Sequence, residues 1–186
     1  MCESYIKRVL DGDVDAFRHI IRQYQDDAYS LAMSVVKNEH LAKDVTQNAF
    51  IKAFSKLDTF KGNSKFSTWL FRITINEAFI RQRKQKRHSK ISYEYSLDSN
   101  RSTLNDYLNK FEEDNRRYYI NEGLKLIPAK YSLALRLFYL QGFSIDEITD
   151  ITGWSSSNTK VILYRAREKT KTILNETFKV DKEELY

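Results

Sequence analysis

The segment FSIDEITDITGWSSSNTKVILYRAREK, residues 143–169, decides the fold class of the C-terminal half of the chain. Ser144 followed by Glu147 is the pattern of a capping box, in which each side chain accepts a hydrogen bond from the other residue's backbone N–H. This pattern predicts a short helix over residues 145–152, which Gly153 ends. A short capped helix, a tight glycine turn and a second helix together predict a helix-turn-helix.

The second helix of this segment has two faces of different character. It is predicted to begin at a cap formed by Ser155 or Ser156. Thr159, Leu163 and Ala166 recur at steps of four and three residues, so this face is expected to be buried. The other face offers what the DNA major groove requires: cations for phosphates and guanine edges, hydroxyls and an amide for base edges, and an apolar group for a thymine methyl. The candidate DNA-binding residues are Ser156, Ser157, Asn158, Lys160, Val161, Tyr164 and Arg165.

This segment resembles region 4 of the extracytoplasmic-function (ECF) sigma factors of bacterial RNA polymerase. That family typically shows an E-I-A-like helix, a glycine turn and a closing T-V-K-S-R-L-x-R-A-R. The matching residues here are Glu147-Ile148, Gly153, Lys160, Leu163 and Arg165-Ala166-Arg167. The resemblance implies that the second helix recognises the −35 promoter element. Val161 stands where the family commonly has serine, so recognition there is expected to be apolar or absent.

A second motif, D-V-T-Q-N-A-F at residues 44–50, lies in the N-terminal half. It resembles the D-x-x-Q-x-x-F signature of sigma region 2, which in the family docks on the clamp helices of the largest polymerase subunits. At helical spacing its polar residues share one exposed face with an apolar residue, which suits a partner helix. The candidate core-polymerase-binding residues are Asp44, Gln47, Asn48 and Ile51.

The next motif, FKGNSKFSTWLFRITIN at residues 60–76, resembles the family's F-x-G-x-S-x-F-x-T-W-L-x-x-I-x-x-N. The resemblance implies a −10 element reader, whose loop and following helix melt DNA and hold an extruded base. Such a base needs hydrogen bonds to its edges and a surface on which to stack. Arg72, Asn76 and Arg83 recur along one helix face and could follow the phosphate backbone. The candidate −10 residues are Phe60, Lys61, Asn63, Ser64, Phe66, Arg72, Asn76 and Arg83.

The pattern along the chain predicts an all-α protein of two helical domains joined by a flexible linker. Apolar residues at three- and four-residue spacing predict long helices, and Trp69 and Ile73 are expected to pack in the core. The run RQRKQKRHSK at residues 81–90 holds six Lys or Arg and no acid, which favours phosphate contact. The predicted divisions are region 2 at 1–90, the linker at 91–112, region 4 at 113–178 and a tail at 179–186. The predicted helices span 15–37, 41–57, a third from a Ser67 or Thr68 cap to about 86, 118–126 and about 128–141 with Pro128 in its first turn.

Composition limits the class of protein further. One proline and five glycines in 186 residues are too few for many β-hairpins. A net charge of +6 suits a polyanionic partner. The single cysteine, Cys2, excludes an intrachain disulfide and a cysteine-rich zinc site, and the three histidines show no ligand spacing, so no metal or cofactor is expected. The sequence has neither an apolar run long enough to span a bilayer nor a secretory signal pattern. We therefore expect a cytoplasmic chain without membrane insertion.

The sequence leaves two alternatives to a sigma factor. No phosphate-binding loop or common hydrolase motif occurs, so an enzyme is not expected, and a helical nuclease is the remaining enzymatic alternative. The stronger alternative is a conventional helix-turn-helix regulator, which would bind its operator without polymerase. The expected partners are core RNA polymerase, promoter DNA and, by the resemblance, an anti-sigma factor.

Overall fold

The computed structural model describes residues 2–92 and 112–175, with side chains described for 3–87 and 119–175. These residues form eight α-helices, and the described ranges contain no strand, which confirms the all-α prediction. Most of the predicted linker and the whole predicted tail lie outside the described residues. The helices are α1 Cys2–Leu10, α2 Phe17–Val36, α3 Glu39–Ser55, α4 Phe66–Ser92, α5 Glu112–Leu126, α6 Ala129–Leu135, α7 Ile145–Thr152 and α8 Ser156–Ile173. Short 3-10 turns occupy Val14–Ala16 and Leu57–Thr59, and a π-helical turn occupies Arg136–Leu140.

Helices α1 to α4 form the N-terminal module around one apolar core. α2 buries the face that contains Ile20, Leu31 and Val35, each fully inaccessible to solvent. Burial of a large aliphatic side chain stabilises a fold by about 1.5–3 kcal/mol, so this stripe accounts for the position of α2. Asn38 caps α3, because its side-chain oxygen accepts from the backbone N–H of Leu41 at 3.0 Å.

Three details of the N-terminal module differ from the sequence predictions. No element was predicted before residue 15, whereas α1 occupies residues 2–10 and stacks Tyr5 on His19 at 4.5 Å. α4 begins at Phe66, so Ser67 and Thr68 lie inside the helix and the predicted cap is wrong. Trp69 and Ile73 pack against the core but stay partly exposed. The fully buried stripe of α4 lies one residue further along and consists of Leu70, Phe71, Thr74 and Ile75.

Helices α5 to α8 form the C-terminal module, and α7 with α8 makes the predicted helix-turn-helix. The backbone N–H of Ser144 donates to Glu147 Oε2 at 2.9 Å, and the backbone N–H of Glu147 donates to Ser144 Oγ at 3.2 Å. The capping box is therefore confirmed. Gly153 ends α7 in the left-handed conformation, with φ 73°, and Ser155 caps α8. Pro128 precedes α6 as its N-cap, one residue outside the predicted position.

Replacement of Ser144 with Ala is expected to destabilise the protein by about 1 kcal/mol, because the first turn of α7 loses one side of its capping box. Urea denaturation followed by circular dichroism measures this change. Ser156→Ala is the matched control, since this exposed residue lies in the first turn of α8 and does not cap that helix. Equal stability of the Ser144→Ala variant and the parent would contradict a stabilising role for the box.

The two modules lie in contact with one another. Phe71 of α4 meets Phe143 edge-on at a ring separation of 5.8 Å, and Lys65 pairs with Glu147 at 2.8 Å. Gln141 Nε2 donates to the backbone oxygen of Asp27 at 3.4 Å. Leu133, Leu137, Phe143, Ile148 and Ile151 belong to the same buried cluster as the core of the N-terminal module. α7 of the helix-turn-helix thus packs on α4, and α6 packs on α2, while a second, smaller core holds α8 against α5 and α6.

Candidate DNA and polymerase interfaces

The outward face of α8 presents every DNA-binding residue predicted on this helix. Ser156, Ser157, Asn158, Lys160, Val161, Tyr164 and Arg165 are all exposed. The predicted inner face, Thr159, Leu163 and Ala166, is buried. Ile162 is buried as well, with only 3% of its surface accessible, which explains why an apolar residue occupies that position. α8 is therefore packed against the module on one side, and its polar side is free to enter a DNA groove.

The four predicted polymerase-binding residues lie together on the surface of α3. Asp44, Gln47, Asn48 and Ile51 are exposed, and Ile51 shows 57% of its surface to solvent. The opposite face of the helix buries Ala42, Val45, Ala49 and Ala53. This face of α3 thus presents one large apolar side chain beside three polar ones.

An apolar groove of about 710 Å³ opens between α2 and α3, beside this face. Phe17, Phe50 and Phe54 form its floor, and Gln47 and Ile51 stand at its edge. The aromatic rings pack edge-on, with Phe17 and Phe54 at 5.0 Å. A partner helix lying along α3 would therefore cover apolar surface as well as the polar anchors. Sequence analysis missed this groove, because its two sides come from different helices.

Asp44 is already engaged within the chain. Its carboxylate lies 3.5 Å from Arg81 Nη2 on α4, and both side chains are about half exposed. An exposed pair at this distance is worth less than about 1 kcal/mol, so a partner can replace Arg81 at little cost.

Glu147, at the start of α7, is held more firmly in its charged form. The Lys65 ammonium and the backbone N–H of Ser144 lower the pKa of its carboxyl below the usual range.

The predicted −10 loop lies at the surface between α3 and α4. Lys61, Asn63 and Ser64 are exposed, as are Arg72, Asn76 and Arg83 along α4. Phe60 is partly buried and packs against Phe66 and Trp69, at ring separations of 5.3 and 5.5 Å. These aromatic contacts hold the base of the loop on the first turn of α4.

Phe66 requires a correction. It was predicted to contact DNA, but only 6% of its surface is accessible, because Tyr24, Phe60 and Trp69 surround its ring. A ring enclosed in this way has no free face for a base to stack on, so the stacking candidate that the structure leaves is Phe60. Phe66 supports the loop from below.

Two surface features escaped the sequence analysis. The π-helical turn presents Tyr139 and Leu140 to solvent, each about half exposed, and the Tyr139 hydroxyl accepts from Arg167 Nη1 at 2.9 Å. Lys65 carries the contact between the −10 loop and α7. Neither contact can be recognised in the sequence, because each joins residues of two different elements that only the tertiary structure brings together.

The described residues contain no group of three His, Cys, Asp or Glu side chains arranged to hold a metal ion. In the same ranges, no helix is both long enough and apolar enough to cross a bilayer.

A capped helix-turn-helix with a polar outward face, packed on a second helical module with its own exposed motif faces, defines a DNA-binding transcription factor. Comparison with known families supports this class. Residues 20–88 match the model for sigma-70 region 2, and residues 119–170 match the model for sigma-70 region 4.

The similarity to characterised relatives extends over nearly the whole chain. The ECF RNA polymerase sigma factor SigW of Bacillus subtilis is 32% identical over 178 residues, which cover 90% of this chain and 94% of SigW. The ECF RNA polymerase sigma-E factor of Escherichia coli K12 is 29% identical over 170 residues and 88% of each chain. The chain belongs to the ECF family of RNA polymerase sigma factors, and it directs promoter-specific transcription initiation. Family membership rejects the conventional helix-turn-helix regulator.

Solved structures share the fold. The sigma factor RpoE of Bartonella quintana, in complex with the anti-sigma factor NepR, aligns with a TM-score of 0.68 over 89% of this chain and 98% of RpoE, at 24% identity. CnrH, in complex with the cytosolic domain of CnrY, aligns with a TM-score of 0.63 over 93% of this chain, at 20% identity. The all-helical two-module architecture is therefore one that solved sigma factors adopt.

Proposed function

We propose that this sigma factor binds core polymerase through α3, opens the −10 element with the loop of residues 60–66 and α4, and recognises the −35 element with α8. The observation that carries the proposal is that the exposed polar and basic residues fall in three separate motif regions. Each of the three motif regions presents polar or basic side chains outward on an element whose other side is buried. Faces held in this way are preorganised for a partner.

The polymerase contact is assigned to Asp44, Gln47, Asn48 and Ile51 together with the neighbouring groove. A helix of the polymerase clamp offers both polar and apolar side chains, and this surface has a place for each. Ile51 and Phe54 are the apolar anchors, since both side chains are large and well exposed. Interface energy is usually concentrated in a few such anchors surrounded by polar contacts.

The −10 element is assigned to the exposed part of its motif. Asn63 and Ser64 can donate to and accept from the edges of an extruded base, and Phe60 is the available aromatic ring. Arg72, Asn76 and Arg83 are exposed along α4, and the same helix carries the exposed basic residues Arg81, Lys84, Lys86 and Arg87. A cationic helix beside a polar loop suits a single strand held by its phosphates while one base is turned out.

The −35 element is assigned to the outward face of α8. Lys160 and Arg165 can contact phosphates or guanine, while Ser157 and Asn158 can hydrogen-bond to base edges. Val161, with 46% of its surface exposed, can touch a thymine methyl. The first turn of α8 is also where backbone N–H groups point outward, which favours a phosphate there.

The remaining assignments concern domains, partners and location. We divide the chain into region 2 at 1–90, a linker at 91–112, region 4 at 113–178 and a tail at 179–186. We also propose that an anti-sigma factor binds this chain, as NepR binds its sigma factor in the solved complex. The protein acts in the cytoplasm, where polymerase and promoters are found, and it has no catalytic activity of its own.

Transcription in vitro with purified core polymerase and genomic promoter fragments tests the proposed function. The protein is expected to associate with core enzyme and to start specific transcripts without another sigma factor. It is expected to bind duplex DNA poorly by itself. Failure to associate with core enzyme, or transcripts identical to those of core enzyme alone, would reject the function. Metal-dependent cleavage of the DNA would support the nuclease alternative.

Replacement of both Asn63 and Asn76 with Ala is expected to slow promoter opening by about tenfold, since holding one extruded base is worth about 1–3 kcal/mol. Permanganate footprinting of unpaired thymines measures opening. Binding to core polymerase should be unchanged, because neither side chain is on α3. Asn48→Ala is the contrasting variant, expected to weaken core binding and leave opening by the assembled holoenzyme unchanged. Normal opening by the double variant would refute these two contacts.

A further inference from the structure

A cavity of about 240 Å³ lies between the two modules and has no part in the functions proposed above. The end of α2 and Lys37 line one side, and α5, α6 and the start of the π-helical turn line the other. The cavity is roughly eight times the ~30 Å³ share of one water molecule, so a small ligand fits. None of its lining residues belongs to the three motif faces.

Two cations, Lys37 and Arg136, line this cavity, and the hydrogen bonds that they make to the described residues go to neutral groups. Lys37 Nζ donates to the backbone oxygen of Leu124. Arg136 donates to Ser34 Oγ at 3.1 Å and to Asn121 Oδ1 at 2.8 Å. Within the described residues, neither cation has a carboxylate oxygen within 4.0 Å.

Charge in the cavity is therefore incompletely balanced. Burial, together with the smaller effect of the positive charge of Arg136, lowers the pKa of Lys37 to about 8. Burial also lowers the pKa of Arg136, which the charge of Asp27 partly offsets. Glu39 lines the cavity but is exposed, and Lys125, also a lining residue, pairs with Glu122 at 2.5 Å. An anion between Lys37 and Arg136 would relieve their repulsion.

The cavity also holds unused hydrogen-bond donors. Ser132 is a lining residue with 1% of its surface accessible, and its buried hydroxyl has no hydrogen-bond partner within the described part of the chain. A lysine carries three N–H donors and an arginine five, so the bonds above leave donors free on both cations. A buried hydroxyl without a partner is uncommon in folded proteins and indicates an absent ligand or water.

We propose that this cavity binds a phosphate-class oxyanion that clamps the two modules together. Lys37 belongs to the N-terminal module, and Ser132 and Arg136 belong to the C-terminal one, so one anion would be held from both sides. A phosphate group presents several acceptor oxygens, each of which takes a hydrogen bond from a donor, and this matches a site rich in N–H and O–H donors. The ligand is inorganic phosphate or the phosphate chain of a nucleotide. The inference stands independently of the residue assignments for promoter and polymerase.

Isothermal titration of the full chain with inorganic phosphate, ATP and acetate, at constant ionic strength, tests the site. Phosphate or ATP is expected to bind, and Arg136→Gln and Lys37→Gln are each expected to weaken binding by about tenfold or more. Lys56→Gln is the matched control, because this exposed lysine does not line the cavity. Ser132→Ala, expected to weaken binding about threefold to tenfold, decides the case if the charge variants do not fold.

The two sources and the rival explanations give different results. Binding of inorganic phosphate alone identifies free phosphate as the ligand, and tighter binding of ATP with the same dependence on Lys37 and Arg136 identifies a nucleotide. Undiminished binding in all three cavity variants would place the anion on the DNA-binding faces and overturn the proposal. No binding of either probe, or acetate binding as tightly as phosphate, would also overturn it. Small-angle scattering should show no expansion of the chain on binding, and an expansion would reject the clamp.

Discussion

Replacement of Asp44 with Lys together with Gln47 with Ala is expected to reduce binding to core polymerase by about a hundredfold or more, with the fold intact. A like-charge pair in an interface costs several kcal/mol, so the lysine opposes binding wherever a cation faces position 44, and the lost Gln47 contact adds to this cost. Both side chains are exposed, and the Arg81 pair that is lost within the chain contributes little. Competition binding to core enzyme against a labelled sigma factor measures the change.

Asp11→Lys is the matched control for this variant. Asp11 is exposed and lies between α1 and the first 3-10 turn, so the same change of charge occurs away from α3. It should bind core enzyme as the parent does, and both variants should keep the helical circular dichroism spectrum. Unchanged core binding by the Asp44 and Gln47 variant would show that polymerase does not dock on this face.

Charge reversal of Lys160 and Arg165 to Glu is expected to lower transcription from promoters that depend on the −35 element by about a hundredfold or more. Each contact to a base or phosphate is worth roughly 1–3 kcal/mol, and a carboxylate in its place repels the DNA backbone. Both residues are exposed on α8 with their neighbours Thr159 and Ala166 buried, so the helix itself should keep its packing. Transcription from one promoter with and without its −35 element measures the effect.

Core-polymerase binding is the internal control, because it should survive this change. The double variant Lys7→Glu and Lys56→Glu carries the same change of net charge on exposed residues of other elements and should transcribe normally. Loss of activity in that control would mean that overall charge, and not the face of α8, governs binding. Full activity of the Lys160 and Arg165 variant would reject the assignment of α8 to the −35 element.

Most of the local architecture was predictable because it depends on neighbours in the sequence. The capping box of α7, its glycine end and the serine cap of α8 each involve residues within four positions of one another. The periodic burial of Thr159, Leu163 and Ala166 follows from the same helical geometry. The three motif faces were predictable for a related reason. A residue on the side of a helix opposite the apolar stripe is exposed whatever that stripe packs against.

Apart from the missed helix α1 and the wrong cap of α4, the sequence analysis failed where a contact joins distant parts of the chain. Phe66 was predicted as a DNA contact, but its exposure depends on Tyr24, which comes from α2. Ile162 was not included in the predicted buried face, because its burial requires the smaller core of the C-terminal module. The groove beside α3 needs both α2 and α3 for its walls. Spacing along one helix carries no information about such partners.

The sequence by itself therefore determined most of the helices, the caps of α7 and α8 and the chemical character of each exposed face, because those properties follow from hydrogen bonds and periodicity within a few residues. The tertiary structure alone decided that the two modules touch, and that Lys37 and Arg136 meet across a cavity. Arg136 bonds to Ser34 from 102 positions away. Contacts at that separation depend on how whole apolar surfaces fit together, which no local pattern records.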